Sequence, residues 1–282
     1  AAVVDAALDA GVNFFDSADI YGPNGLSEEY LGQAIKGKDR SSVIIASKFA
    51  NPMGAGDLMR GASRRYIMNA VDASLKRLGT DYIDLYQQHV PDDQTPIEET
   101  LRALDDLVRS GKVRYIGHSN FNGWQLTDAH WTARHHGLNP FVTAQNHYSL
   151  IDRRIEKDVV PAAQHFGIGI LPYFPLASGL LTGKYQRGEA APQGTRLAAW
   201  GERGAAALSE QNFAIVDKLT AFAQAHDRTL LELAMSWLAT KPYISSVIAG
   251  ATSVRQVEQN AAAATWRLSD AEMAEVNELS TR

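Results

Sequence analysis

Apolar positions along the chain switch period repeatedly, and the switches come in a regular order. Short, nearly continuous apolar runs read as buried strands: VNFFDSA (12–18), SVIIASKF (42–49), YIDLYQQHV (82–90), VRYIGHSN (113–120), FVTAQNHYSL (141–150), GIGILPYFPL (167–176) and ISSVIAGA (244–251). Most are followed by stretches whose apolar residues recur three and four apart, the spacing of an amphipathic helix. These are SEEYLGQAIKG with Ser27 as N-cap candidate, RRYIMNAVDASLKRLG, TPIEETLRALDDLVRSG, FNGWQLTDAHWTARHHG, RRIEKDVVPAAQHFG and a segment starting near Val254. A further helical pattern, AAVVDAALDAG, opens the chain and closes at Gly11.

Apolar strands each covered by a helix predict an α/β fold with a parallel sheet, and this many regular units favour closure into a (β/α)8 TIM barrel over an open sheet. Seven strand candidates leave an eight-stranded barrel one short, so the first strand is expected upstream of residue 1. No Pro/Gly/Ser-rich linker divides the chain, and residues 1–282 read as one barrel domain.

Composition narrows the function. The net charge is −5 with both signs interspersed, which gives no electrostatic footprint for nucleic acid or anionic lipid, so neither is expected as a partner. There is no cysteine, hence no disulfide framework or thiolate chemistry, and no apolar run long enough to span a bilayer; a cytoplasmic location is expected. A small-molecule substrate follows, while self-association is left open.

In a barrel of this kind the catalytic groups collect at the C-terminal ends of the strands. Those ends carry Asp16 and Tyr21, Lys48, His89, Ser119 and Asn120, Gln145, Tyr173 and a Gly-Ala-Thr turn at 250–252. One polar residue at a strand end is an ordinary cap or turn residue; four titratable types at successive ends point to chemistry. A phenol holds its proton tightly near neutrality, but an ammonium beside it favours the phenolate, and a carboxylate can hold that ammonium in place. Tyr21, Lys48 and Asp16 supply those three groups, and His89 can donate an N–H to the same substrate atom that receives the phenol's proton.

With FFDSADIYG, ASKF, DLYQQHVPD, GHSN and PYFPLASGLLTGKY in this order, the chain resembles the aldo-keto reductases over essentially its whole length, in the long-loop branch that includes potassium-channel β subunits. The resemblance implies a catalytic tetrad of Asp16, Tyr21, Lys48 and His89 and an NADP(H) cofactor bound extended across the barrel mouth. It implies that Ser119, Asn120 and Gln145 meet the nicotinamide carboxamide and that Tyr173 stacks on the ring. Phe174, Pro175, Leu176 and Ser178 would follow along the cofactor, Phe174 standing where many relatives carry a small hydroxylated residue at the pyrophosphate. At the adenosine end many relatives use a Lys and an Arg; here Gly250 and Gln256 stand at the matching places. GATSVRQVEQN instead resembles the channel-subunit branch, implying contacts from Gly250, Thr252, Ser253, Gln256, Gln259 and Asn260, with charge from Lys184 and Arg196.

Other features are weaker. GLLTGKY is one residue short of a phosphate loop and has Tyr where Ser or Thr must hold magnesium. His130, His135 and His136 fall on an outer helix and no metal site is expected. Asp19 reads as a loop solvator, Glu28 and Glu29 as first-turn carboxylates favoured by the helix dipole, and Trp124 and Trp200 as candidates for the substrate opening or for packing. The leading expectation is an NADPH-dependent reductase of aldehydes or ketones. The alternative is a cofactor-binding, redox-sensing regulatory subunit with little turnover. A barrel glycosidase, which needs two carboxylates flanking a sugar, is disfavoured by the Lys48 and His89 pattern.

Overall fold

Six of the seven apolar runs form strands in the computed structural model, which describes residues 1–281: β1 Phe14–Asp16, β2 Ile44–Phe49, β3 Ile83–Gln88, β4 Val113–Ser119, β5 Thr143–His147 and β6 Gly169–Tyr173. They lie in one sheet in chain order. The first five pair in parallel, with Asp16 opposite Ala46, Lys48 opposite Gln87, Gln88 opposite His118 and Ser119 opposite Gln145. That register brings the polar strand ends of the sequence side by side. Residues Ile45 to Phe49 of β2 are all buried, as expected for a strand covered on both faces.

ISSVIAGA departs from expectation. Residues 244–251 form no named strand; Ile248 makes an isolated parallel bridge to Tyr173, donating its N–H to the Pro172 carbonyl at 2.9 Å. None of these residues is fully buried, and Ser245 and Ser246 near its start interrupt the apolar face that would pack a strand.

The chain clusters into two compact units, Ala1–Asn146 with Ile155–Ile170, and His147–Arg154 with Leu171–Arg282. In the first, the helices are α1 Ala2–Asp9, α2 Leu26–Ile35, α3 Arg64–Leu78, α4 Ile97–Arg109, α5 Gly123–His136 and α6 Val159–Phe166. Their ends carry the expected chemistry: Ser63 caps α3 through the Tyr66 N–H, Asn122 and Gln125 form a capping box on α5, and Gly79 and Gly137 end α3 and α5 in the left-handed conformation. In α4 the buried Leu101, Leu104 and Leu107 face the core, each contributing about 1.5–3 kcal/mol, while Glu98 and Arg102 pair outside. Two boundaries differ from the sequence reading. Gly25, not Ser27, caps α2; it has φ 80°, and a Cβ there would collide with the Arg77 side chain running past it. RRIEKDVVPAAQHFG is split: Arg154–Lys157 forms a short 3-10 helix, and the α-helix begins only at Val159.

The second unit holds α7 Arg196–Ala199, α8 Glu202–Ala207, α9 Glu210–Ala225, α10 Leu230–Ala239, α11 Val254–Ala263 and α12 Asp270–Leu279. Trp237 of α10 is fully buried, packs on Tyr148 at 5.2 Å and donates to the Asn277 side-chain oxygen at 3.0 Å, tying α10 to α12. Among the described residues no helix is long and apolar enough to cross a membrane.

Candidate active site

Four of the predicted residues meet at the C-terminal strand ends of the first unit. Lys48 sits near the end of β2 with its side chain fully buried. A buried ammonium must spend all three N–H bonds. Lys48 Nζ does so on Asp16 Oδ2 at 2.5 Å, the Ser17 carbonyl at 2.9 Å and Tyr21 Oη at 3.4 Å. Asp16, the last residue of β1, also accepts from Gln145 Nε2 at 2.9 Å and Gln87 Nε2 at 3.3 Å. The carboxylate is thus held by one cation and two amides. Tyr21 lies beyond the turn that follows Asp16, with 39% of its surface exposed, so its hydroxyl touches the buried ammonium while the ring remains accessible.

His89 follows β3 and meets the Tyr21 ring edge-on, 5.6 Å between centroids. Burial, and secondarily the Lys48 charge, pulls its imidazole down to about 3, so it is neutral at pH 7. Its Nδ1 is buried without a hydrogen-bond partner.

The carboxamide candidates lie on the same strand ends. Asn120, at φ 63°, donates its amide to the His89 carbonyl at 2.9 Å and to Ser119 Oγ at 3.0 Å, and its main chain bonds the Gln145 carbonyl at 3.0 Å. Gln145 uses one N–H of its NH2 on Asp16, and its Oε1 is a partner for a carboxamide NH2.

The remaining candidates belong to the second unit. Tyr173 is stacked on His147 at 5.5 Å and meets Phe174 edge-on at 5.1 Å; Phe174 in turn meets Trp200 at 5.5 Å and lies under the Arg196 guanidinium at 5.0 Å. A Cβ at Gly250 would sit 3.4 Å from that guanidinium, so Arg196 and the turn before α11 come together. In the loop from Phe174 to Gly183, Phe174, Ala177 and Ser178 all have positive φ, a strained path of the kind concentrated at ligand sites. Pro175 is buried there and Leu176 half-buried. Lys184 folds back over Gly179, its Nζ 2.6 Å from where a Cβ would be, and Gly179 itself has φ 96°, a conformation that favours glycine. At α11, Ser253 accepts from the Gln256 N–H, and the Gln256 side chain accepts from the Thr252 N–H at 2.7 Å and hydroxyl at 3.1 Å. These three are therefore a helix cap in this structure. Gln259 is exposed and Asn260 half-buried one turn further on.

Two expectations are corrected. Asp19 is not a solvated loop residue: it is 1% exposed, and burial with the neighbouring Glu28 charge pushes its carboxyl up to about 7. Glu28 is fully buried, accepting from the Ser47 hydroxyl and from Arg77 Nε at 2.7 Å, whereas Glu29 is exposed in the first turn as expected. Sequence reasoning also missed Gln87. Its signal was the Gln-Gln pair interrupting an apolar strand, since a buried amide there needs a partner. Of the outer histidines, His130 stacks on Phe166 at 4.1 Å and His136 pairs with Glu98 at 3.3 Å. Trp124 is 65% exposed on α5, and Trp200 packs on Phe174.

Residues 1–281 match the sequence pattern of the Aldo/keto reductase family. The chain is 38% identical over 265 residues to a probable voltage-gated potassium channel subunit beta of Oryza sativa subsp. japonica, covering 92% of this chain and 80% of that protein. It is 38% identical over 265 residues to the uncharacterized oxidoreductase YrpG of Bacillus subtilis, covering 90% and 78%. It is 34% identical over 268 residues to the L-glyceraldehyde 3-phosphate reductase of Escherichia coli K12, covering 92% and 77%.

Proposed function

Because the chain belongs to the aldo/keto reductase family and is an oxidoreductase of the α/β, (β/α)8-barrel class, we propose that it reduces aldehyde or ketone carbonyls to alcohols with NADPH and that Tyr21 gives the proton. The observation that carries this reading is the Lys48 ammonium bonded to both Asp16 and the Tyr21 hydroxyl. When bound, the reduced nicotinamide supplies the hydride.

The chain's own groups divide the rest of the work. The ammonium beside Tyr21 stabilises the phenolate left when the proton moves to the substrate oxygen, and Asp16 keeps the ammonium aimed. Asp16 is itself fixed by Gln87 and Gln145, so it cannot swing toward Tyr21. His89 is neutral and so is no proton donor near pH 7; with Nδ1 enclosed, Nε2 is the nitrogen that donates to the carbonyl oxygen. Tyr21 and His89 together would then hold that oxygen in the orientation the reaction needs. Ser119, Asn120 and Gln145 would hold the carboxamide, Tyr173 the ring face, and Phe174, Pro175, Leu176 and Ser178 would line the cofactor's path. Arg196, Lys184, Gly250 and the start of α11, with Thr252, Ser253, Gln256, Gln259 and Asn260, would hold the phosphates and adenosine. The fit is chemical: an exposed guanidinium beside a glycine and a helix N-terminus suits a phosphate dianion.

A second reading, a redox-sensing subunit that binds the cofactor with little turnover, is favoured by the similarity to proteins titled as channel β subunits. An NADPH-oxidation screen over aldehydes, ketones, quinones and sugars separates the two. Oxidation driven by at least one class, and lost in Tyr21→Phe, supports the reductase; cofactor binding with no oxidation by any class supports the regulatory subunit.

A further inference from the structure

Behind the tetrad lies a second cluster of titratable groups that the reaction above does not use. Asp19 belongs to the turn joining Asp16 to Tyr21, and its N–H donates to the Lys48 carbonyl at 3.1 Å, so the turn is stitched to the lysine strand. Its side chain points inward. Asp19 Oδ2 lies 3.4 Å from Tyr66 Oη, and Tyr66 Oη lies 3.2 Å from the Asn51 carbonyl; Asp19 Oδ1 has no partner. Asn51 sits just past β2, after Ala50, whose φ is 98°. Asp19, Tyr66 and Asn51 therefore link the Tyr21 turn to the segment leaving the Lys48 strand.

Counting protons identifies the state of this link. Tyr66 has one hydroxyl proton and two acceptors in reach. If Asp19 were ionised, one of those contacts would set oxygen against oxygen with no proton between. If Asp19 carries a proton, its O–H donates to Tyr66 Oη and Tyr66 donates to Asn51, and both contacts are made. Charge counting agrees. The titratable and charged groups acting on Asp19 are Glu28 from α2, Tyr66 and Arg77 from α3 and the fully buried Tyr86 from β3; the Ile20 backbone N–H beside it favours the ionised form, but burial and Glu28 outweigh it. Burial raises both phenols, so they are neutral. One guanidinium then faces two carboxyls, and it is committed to Glu28 through Nε and a terminal nitrogen, both at 2.7 Å. A second buried anion would be uncompensated.

We propose that Asp19 is a positioning residue for Tyr21, holding the Asp16–Tyr21 turn in place as a neutral carboxylic acid bonded through Tyr66 to Asn51, and that its ionisation releases the turn and lowers reactivity. Burial and Glu28 set that ionisation near pH 7, so the device operates close to neutrality. The proposal rests on Tyr21 being the acid of the proposed reaction, but two of its tests involve no turnover.

The infrared carbonyl band of a protonated carboxyl should be present in the wild type at pH 6, titrate away near pH 7 and be missing in Asp19→Asn; its absence at pH 6 overturns the proposal. Deuterium exchange of the peptide spanning residues 17–27, corrected for intrinsic rates, should lose protection between pH 6 and pH 8 in the wild type and not in Asp19→Asn, whose amide keeps a donor toward Tyr66. Equal loss in both overturns it. With a carbonyl substrate, kcat/KM of the wild type should be about tenfold below that of Asp19→Asn at pH 8, where roughly a tenth of Asp19 stays protonated, and close to it at pH 6. Tyr66→Phe cuts the link at any pH and should give at pH 6 the low activity the wild type shows at pH 8. Superimposable profiles for wild type and Asp19→Asn, or an unaffected Tyr66→Phe, overturn the positioning role. A chain that reduces no carbonyl fails the proposed function instead, and the infrared and exchange results still decide the state of Asp19.

Discussion

The strand ends of the first unit and the loops of the second were both picked out by one resemblance, yet they are built in opposite ways. Around Asp16 the groups are buried, and each charge is bound by specific partners: Lys48 fully enclosed with three acceptors, Asp16 with three donors. Around Gly250 the charge is an exposed guanidinium resting on Phe174, and shape comes from strained backbone at Phe174, Ala177 and Ser178. A buried charge with one arrangement gives a fixed geometry, which proton transfer requires. Exposed charges on a loop give an attraction that solvent screens, which suffices to choose between ligands. Substitutions should therefore cost much in the first region and little in the second.

The sharpest test is Tyr21→Phe, which removes the proton and keeps the ring. Turnover should fall by roughly 10²–10⁴, the usual contribution of a positioned acid, while cofactor affinity persists. Unchanged turnover would sink the mechanism. Next is Glu28→Ala, which leaves Arg77 without its carboxylate in a buried setting. A stability loss of about 3–5 kcal/mol in urea unfolding is expected. A loss below about 1 kcal/mol would mean the cluster behind the tetrad is no more committed than the loops.

How much of this could be read in the sequence follows the same division. The strands up to Tyr173 and the tetrad were legible because a buried parallel strand must be apolar, and any polar residue at its end stands out. Asp19 and Glu28 were misread because local pattern assigns a carboxylate in a turn or first helical turn to solvent. Their burial depends on Arg77, some fifty residues away in the chain, and on Tyr66 of the same helix, pairings no local window contains. The apolar run at 244–251 predicts a strand that is reduced to one bridge for a related reason: a run of apolar residues does not show whether a packed face exists for it. Thr252, Ser253 and Gln256 are of residue types that serve equally as ligand groups and as helix caps, and the sequence does not separate the two; here their mutual bonds cap α11.

A third test concerns a buried group with no role in the site. His118 of β4 is fully buried, stacked on Phe121 at 4.5 Å with neither ring nitrogen partnered, and burial pulls it down to about 3. The folded state keeps it neutral while the unfolded chain takes up a proton below about pH 6.5, so the unfolded state binds more protons and stability falls as pH falls from about 6.5 toward 3. His118→Phe removes this one contribution. Its stability relative to wild type should rise by about 1.4 kcal/mol for each pH unit below 6.5, read from urea midpoints across that range. Parallel curves would show that the imidazole is not held neutral.

The smallest expected effect is in the second region. NADPH differs from NADH by a 2′-phosphate, and the proposed grip on it is Arg196 beside Gly250, aided by the start of α11. Arg196 is exposed, so its contribution is screened, and a preference for NADPH of modest size is expected, shrinking as ionic strength rises. Arg196→Ala should reduce the ratio of the two dissociation constants by about three- to tenfold, the range of an exposed charge-assisted contact, leaving NADH affinity and turnover with saturating cofactor unchanged. Protein-fluorescence quenching with both cofactors measures it. Equal affinities in the wild type, or a preference indifferent to both salt and Arg196→Ala, would mean that the phosphate is held by buried groups after all, and that the two regions do not differ in the way described.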